Sequence, residues 1–143
     1  MFKLTRLADY GIMLMGRFAR AAAPTRSARD LAAESHLPLP TVSKILKALA
    51  KAGLLDAHRG VKGGFSLSRT PERIAIADII EAIEGPISFT QCCEGAGHCN
   101  VESHCGLGVN WRKINNAVGR ALRGVTLAEM VLPARGVEFR ITV

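Results

Sequence analysis

The chain has 143 residues, of which 48% are hydrophobic and 5% aromatic, and it carries a formal net charge of +7. This length fits one compact domain with at most an appended dimerisation element, and the apolar fraction allows a core of Leu, Ile, Val and Ala without disulfides. No apolar run reaches the length of about 18 residues that a transmembrane helix needs. The N-terminal residues also lack the layout of a signal peptide, so we expect a cytoplasmic protein.

The positive charge is concentrated in the first half of the chain. Residues 1–70 contain twelve Lys or Arg and four Asp or Glu, a net charge of +8, whereas residues 71–143 contain seven and eight, a net charge of −1. A surplus confined to one half is typical of a surface that binds a polyanion. It favours nucleic acid as the partner over a basic surface kept for solubility.

Three helices are predicted before the middle of the chain. Apolar residues recur at helical spacing over residues 5–22, which predicts an amphipathic helix. Ser27 and Asp30, three positions apart, are typical of a helix N-terminus and open a short second helix. Residues 40–52 then place Val, Ile and Leu on one face and end before Gly53, as expected of the second helix of a helix-turn-helix.

A basic hairpin is predicted directly after this helix pair. Short strands are expected at residues 54–55 and 65–67, and residues 58–64 between them have the sequence HRGVKGG. Glycines in such a loop allow a tight turn and a close approach to phosphate, although an ordinary charged hairpin is the alternative. The order of elements predicts a mainly α fold with a small β-wing, a winged helix-turn-helix domain over residues 1–85.

The expected DNA contacts lie on the two helices of the helix-turn-helix and on the wing. We expect two copies of the helix at residues 40–52 to enter successive major grooves of a pseudo-palindromic operator. The wing is expected to contact phosphates or the minor groove. The start of the preceding helix would hold the DNA backbone. The predicted contact residues are Ser27, Arg29, Pro40, Thr41, Ser43, Lys44, Lys47, Arg59 and Lys62.

The second half contains two further amphipathic segments, a helix at residues 76–84 and a dimerisation helix with a following turn at residues 108–131. The later apolar stripe needs a partner, and the simplest one is the same helix of a second copy in a two-fold dimer. Packing back on the first helix of the same chain is the alternative. Residues 132–143 alternate apolar and polar side chains as in a short strand, without a predicted partner or role. The stripe expected at the dimer interface comprises Trp111, Ile114, Val118, Ala121 and Leu122.

Residues 86–107 are predicted to form a cysteine-rich loop with little apolar periodicity. Cys93, Cys99 and Cys105 are evenly spaced with five residues between neighbours, whereas zinc sites usually use closer pairs. Three thiolates on a loop can instead hold an iron–sulfur cluster, a soft centre that prefers sulfur ligands. Cys92 adjoins Cys93, and the even spacing favours Cys93 as the ligand of that pair. Further potential donors in the loop are His98, His104, Glu94 and Glu102.

Together these stretches resemble the Rrf2 family of winged-helix regulators, which includes regulators of iron–sulfur cluster assembly and nitric-oxide-sensing repressors. The resemblance covers about residues 1–131. The segments NWRKINNAV and GVTLAEM are most similar to the subgroup that regulates the sulfur-mobilisation (SUF) operon. The matching stretches are LTRLADYG, PTVSKILKALAKAGLL, RGVKGGFSLSR, IADIIEAIEG and the cysteine triplet.

The resemblance implies a homodimer with one iron–sulfur cluster per subunit, 2Fe–2S being favoured over 4Fe–4S. Its cluster-assembly branch, which is IscR-like, has a histidine three residues after the last cysteine, where this chain has Gly108. Its nitric-oxide-sensing branch uses an aspartate in the first helix of the other subunit, and the matching position here is Asp9. We therefore expect Asp9 to be the fourth ligand beside the three evenly spaced cysteines, with His104 as the second choice and Cys92 as a further one.

The predicted function is that of a transcriptional regulator, a repressor and not an enzyme. Its cluster would sense iron or cluster status, oxidative stress or nitric oxide and control cluster-assembly or stress genes. A cluster-free regulator that uses the cysteines as a thiol or zinc switch is the first alternative. A small redox or electron-transfer protein is the second, but it would leave the helix-turn-helix and the wing without a purpose.

Overall fold

The computed structural model describes residues 3–132, which form a mainly helical protein with one two-stranded sheet, as the sequence predicts. The strand expected within residues 132–143 lies, apart from Leu132, outside the described residues. None of the helices in the described part is long and apolar enough to cross a membrane. The elements are α1 (Arg6–Arg20), α2 (Ala28–Ser35), α3 (Leu39–Lys51), β1 (Leu55–His58), β2 (Gly64–Leu67), α4 (Ile76–Glu84), α5 (Gln91–Glu94), α6 (Gly108–Arg123) and α7 (Leu127–Val131), with short 3₁₀ turns at Pro71–Arg73 and Glu102–His104.

Local hydrogen bonds and residue types determine where the first three helices begin. The Thr5 hydroxyl accepts the N–H of Ala8 at 3.2 Å and caps α1, and the Ser27 hydroxyl accepts the N–H of Asp30 at 3.1 Å and caps α2. The capping predicted from the sequence for α2 is therefore confirmed. The third helix begins one residue earlier than predicted because Pro40 is tolerated in a first helical turn, where an N–H has no partner to lose.

The core lies around α1, which packs against α3, α4 and α7. It is built from aliphatic side chains, as the low aromatic content predicts, and Phe18 is its one aromatic member among the described residues. Burial of this much apolar surface is the main stabilising contribution to the fold. The largest fully buried side chains are Leu14, Met15, Leu31, Val42, Ile45, Leu46, Leu49, Leu54, Leu55, Ile74, Ile79 and Leu127.

The wing is attached to the helix-turn-helix by backbone pairing. Strands β1 and β2 pair antiparallel, with Leu55 opposite Leu67 and His58 opposite Gly64. Arg26, just before α2, exchanges two backbone hydrogen bonds of 2.8 Å with Phe65 on the other edge of β2. The sequence gives no sign of this bridge, and it holds the start of α2 against the wing.

Gly64 lies where this bridge brings two backbones together. Its φ is +157°, and a Cβ atom there would lie 2.5 Å from the Arg26 carbonyl oxygen. A Gly64→Ala variant is expected to lose more than about 1 kcal/mol of unfolding free energy, because alanine strains this conformation and must displace backbone atoms. Urea denaturation measures the loss. Gly106→Ala is the control, since a Cβ at Gly106 meets open space, and equal midpoints for the two variants would contradict the expectation.

The predicted helical segment 108–131 is divided in two. The helix α6 ends at Arg123, and α7 then packs against α1 and brings Leu127 into the core. The link between them pairs with the segment before α4, since the Ile76 N–H donates to the Val125 carbonyl at 2.9 Å and the Leu127 N–H to the Ile74 carbonyl at 2.8 Å. It is therefore α7, and not α6, that lies against the first helix, whereas α6 packs mainly on α4 and α5.

A capping box starts α7. The Thr126 hydroxyl accepts the N–H of Glu129 at 3.2 Å, and the Glu129 carboxylate accepts the Thr126 N–H at 2.7 Å and its hydroxyl at 2.8 Å. These hydrogen bonds stabilise the charged carboxylate and hold the pKa of Glu129 below its ordinary value. The sharp restart of the helix after Gly124 thus has a local cause.

Candidate DNA-binding surface and cysteine loop

The exposed face of α3 presents the basic and hydroxyl side chains predicted to read DNA. Lys44 and Lys47 are exposed, Thr41 and Ser43 are half-buried, and the opposite face is buried in the core. No side chain caps the start of α3, so its first free backbone N–H groups remain available to water or to an anion. Pro40 is exposed in this first turn.

The start of α2 places a second set of predicted contacts on the surface. Arg29 is exposed, whereas Ser27 is half-buried because its oxygen serves as the N-cap. The same hydroxyl keeps its hydrogen, so it is able to donate to a phosphate while it accepts from the helix. The two roles of Ser27 are therefore compatible.

The wing carries its two predicted basic contacts on a loop that includes an apolar residue at its tip. Arg59 and Lys62 are exposed, and Val61 between them is fully exposed, at 108% of its reference area. The turn is closed by the Gly63 N–H donating to the Gly60 carbonyl at 2.9 Å. Val61 has no role predicted from the sequence, and its position suits a contact in a groove between the two basic side chains.

The segment that leads into the cysteines is fixed to α6 by one amide side chain. The Asn115 Nδ2 donates to the Ile87 carbonyl at 3.0 Å, and its Oδ1 accepts the Phe89 N–H at 3.1 Å. An amide with this orientation pairs with an extended backbone as a neighbouring strand would. Asn115 therefore attaches the beginning of the loop to α6, a role that apolar periodicity cannot reveal.

The first two cysteines lie close to a single hydroxyl at the start of α5. The Thr90 hydroxyl lies 3.1 Å from the Cys92 sulfur and donates to the Cys93 sulfur at 3.3 Å. Both cysteines are half-buried free thiols. Thiolate is the form of cysteine that binds metal.

The remaining potential ligands are spread along the loop. Cys99 is half-buried and Cys105 is exposed, and both are free thiols. His104 accepts from or donates to Ser103 at 2.8 Å, and Asp9 is exposed in the first turn of α1. Within residues 3–132, no three Cys, His, Asp or Glu side chains lie close enough together to hold one metal ion.

The donor types of the loop nevertheless fit an iron–sulfur cluster. The three evenly spaced thiols are unpaired by disulfides and at least partly accessible, and thiolate is the ligand that such clusters prefer. Exposed loop residues with few packing contacts can rearrange at low cost. The three thiols therefore have the chemistry that an iron–sulfur cluster needs. They would converge on the cluster only if the cysteine loop closes around it.

The stripe predicted at a dimer interface is partly covered within the chain. Val118 and Leu122 are half-buried toward the body of the domain, and Trp111 is also half-buried, whereas Ala121 is exposed and Ile114 is 47% exposed. Leu107 and Val109 at the start of α6 add further apolar surface, exposed by 58% and 57%. These two residues were missed because they precede the periodic part of the helix.

Residues 4–133 match the Rrf2 family, described as iron-dependent transcriptional regulators. The chain belongs to the Rrf2 family. This membership covers the winged domain, the cysteine loop and α6 together, so the predicted family is confirmed. As an Rrf2-family protein, the chain is a DNA-binding transcriptional regulator.

Three similar proteins agree with this Rrf2 assignment. The slr0846 protein of Synechocystis, provisionally named an HTH-type transcriptional regulator, is 33% identical over 110 residues, which cover 76% of this chain and 73% of that protein. The solved structure of CymR, the global cysteine regulator of B. subtilis, is 26% identical with a TM-score of 0.68, covering 92% of this chain and 97% of CymR. The T. potens IscR structure is 28% identical with a TM-score of 0.65, covering 91% and 86%.

Proposed function

We propose that this Rrf2-family regulator is a homodimer that holds an iron–sulfur cluster in its cysteine loop and adjusts its DNA binding to the state of that cluster. The observation that carries the proposal is the attachment of a loop with three free, evenly spaced thiols to α6 through Asn115. The same α6 packs on α4 of the winged domain. A structural change in the cysteine loop would therefore occur next to the winged domain, which carries the predicted DNA contacts.

The residues proposed to hold the cluster are Cys93, Cys99 and Cys105, with Asp9 of the second subunit as the fourth ligand. Such a cluster supplies one-electron redox chemistry and sensitivity to oxygen, nitric oxide and iron supply. A carboxylate is a hard ligand with a weak match to this centre, so Asp9 favours a labile cluster. Thr90 positions the Cys93 sulfur by donating a hydrogen bond to it.

The second copy is proposed to cover the apolar side of α6. Leu107, Val109 and Ile114 are each about half exposed in the single chain. An isologous contact between two such helices would remove this surface from water and set two copies of α3 side by side. Two copies of α3 at a fixed spacing suit a pseudo-palindromic operator.

Phosphate contacts from the wing are expected to appear in the salt dependence of DNA binding. An Arg59→Ala, Lys62→Ala double variant should lower the slope of log affinity against log salt by about 2, because each lost phosphate contact removes about 0.9. Fluorescence anisotropy with a duplex selected in vitro from genomic fragments measures the slope. Lys113→Ala, an exposed change on α6, is the control, and an unchanged slope in the double variant would contradict the wing assignment.

A cluster-free thiol switch is the second candidate, favoured by the Thr90 hydroxyl between two half-buried thiols and by the likeness to the cysteine regulator CymR. It predicts a colourless protein whose DNA affinity responds to thiol oxidants or zinc. Anaerobic purification followed by a visible absorption spectrum and metal analysis separates the two candidates. Iron and sulfide in the purified protein support the cluster, whereas stoichiometric zinc supports the switch.

A further inference from the structure

A cleft formed by residues outside the cysteine loop opens between α1, α7, α2 and the segment before α2. Its volume is about 440 Å³, within the range typical of small-molecule sites. Three guanidinium groups line it, those of Arg17, Arg20 and Arg26, together with a single carboxylate, that of Glu34. The lining therefore carries a net charge of +2.

The charges in this cleft are only partly satisfied within the chain. Glu34 forms ion pairs with both Arg26 and Arg17, the latter at 3.6 Å, so one carboxylate serves two guanidinium groups. Arg20 donates to the Val131 carbonyl at 3.0 Å, which leaves its charge without a counterion in the described residues. The Arg17 Nε atom is buried and has no hydrogen-bond partner within the described part of the chain. A buried donor left unpaired is costly.

The rest of the cleft lining is mostly apolar. Met13 and Met130 line it and are exposed by 37% and 49%, and Ile12 and Leu127 lie beside them. Methionine side chains adapt their shape to an apolar ligand. A free inorganic anion or a DNA phosphate would use the arginines but would leave this apolar wall unused.

We propose that this cleft binds a small carboxylic acid with an aliphatic body. The carboxylate would accept hydrogen bonds from the guanidinium groups, a pairing that is often bidentate, and the aliphatic part would lie against the two methionines. The site is also placed to affect DNA reading. Arg26, whose side chain lines the cleft, is the residue whose backbone pairs with Phe65 of the wing and precedes the cap of α2. That last effect rests on the proposed function, whereas binding of the acid does not.

Methionine methyl NMR tests the binding directly, because the chain supplies both reporters and an internal control. Met13 and Met130 line the cleft, and Met15 is fully buried in the core. With the full chain labelled at methionine methyls, hexanoate is expected to shift the Met13 and Met130 signals saturably and to leave Met15 in place. Acetate, which lacks the aliphatic body, and inorganic phosphate should bind more weakly.

An Arg17→Gln variant should weaken hexanoate binding by about tenfold or more, since a charge-assisted hydrogen bond is lost. Arg69→Gln, an exposed change outside the cleft, should leave the affinity unchanged. If the Met15 signal shows that Arg17→Gln is misfolded, Arg20→Gln at the exposed end of α1 replaces it. Absence of saturable Met13 and Met130 shifts would overturn the proposal, as would equal affinity in the arginine variants or phosphate binding as tight as hexanoate binding. Failure of DNA binding alone, with the methyl shifts intact, would count against the proposed function and not against this site.

Discussion

Cys93→Ser, Cys99→Ser and Cys105→Ser are each expected to give a colourless protein after anaerobic reconstitution with iron and sulfide. Each change replaces a soft thiolate with a hard hydroxyl, and a cluster with two remaining cysteine ligands is not retained. Cys92→Ser is the matched control. Its thiol is a neighbour of Cys93, has similar burial and lies near the same Thr90 hydroxyl, yet it falls outside the even spacing. It should keep the colour of the wild type.

The outcome is measured by visible absorption and by anaerobic native mass spectrometry, which also reports the oligomeric state. An Asp9→Ala variant should keep the oligomeric state of the wild type and lose its cluster faster in air, because the proposed ligand from the second subunit is gone. Loss of colour in Cys92→Ser with retention in Cys93→Ser would contradict the assignment within the pair. A colourless wild type with stoichiometric zinc would contradict the cluster itself.

Truncation of a buried side chain on the inner face of α3 is expected to have a large effect on stability. Leu46 is fully buried on the inner face of α3, between this helix and the core. Leu46→Ala should lower the unfolding free energy by about 2–5 kcal/mol, because buried methyl groups are lost and the site collapses only partly. Denaturant unfolding followed by circular dichroism measures the change.

Lys47→Ala is the matched control on the next residue of the same helix. Its side chain is exposed, so the stability should change by less than about 0.5 kcal/mol. DNA affinity should instead fall and its salt dependence should become less steep. If Lys47→Ala unfolds as readily as Leu46→Ala, the orientation of α3 deduced from burial is wrong.

Apolar periodicity carries most of the information about the helices. The spacing over residues 76–84 predicts α4 with the bounds that the structure shows, because Gly85 and Pro86 leave no alternative end. The second half of residues 108–131 is less predictable. Its helical pattern continues across Gly124, and the break there depends on backbone pairing of Val125 with Ile76, which is a tertiary contact.

The parts of the candidate sites differ in how well they can be predicted from the sequence. Lys44 and Lys47 are placed correctly on the exposed face of α3, since burial follows from the pattern of their neighbours. The contacts that connect distant elements cannot be predicted from apolar periodicity. Arg26 pairs with Phe65, and Asn115 holds the residues before the cysteines, across long separations in the chain and through single residues with no periodic signal.

The two-ended attachment of α6 has a mechanical consequence. Asn115 fixes the helix to the loop on one side, and the Val125–Ile76 and Leu127–Ile74 hydrogen bonds fix the link after its C-terminal end to the segment leading into α4. A rotation of α6 is therefore expected to move the winged domain with it. In the proposed dimer, a small tilt of one α6 helix against the other would change the spacing of the two α3 helices.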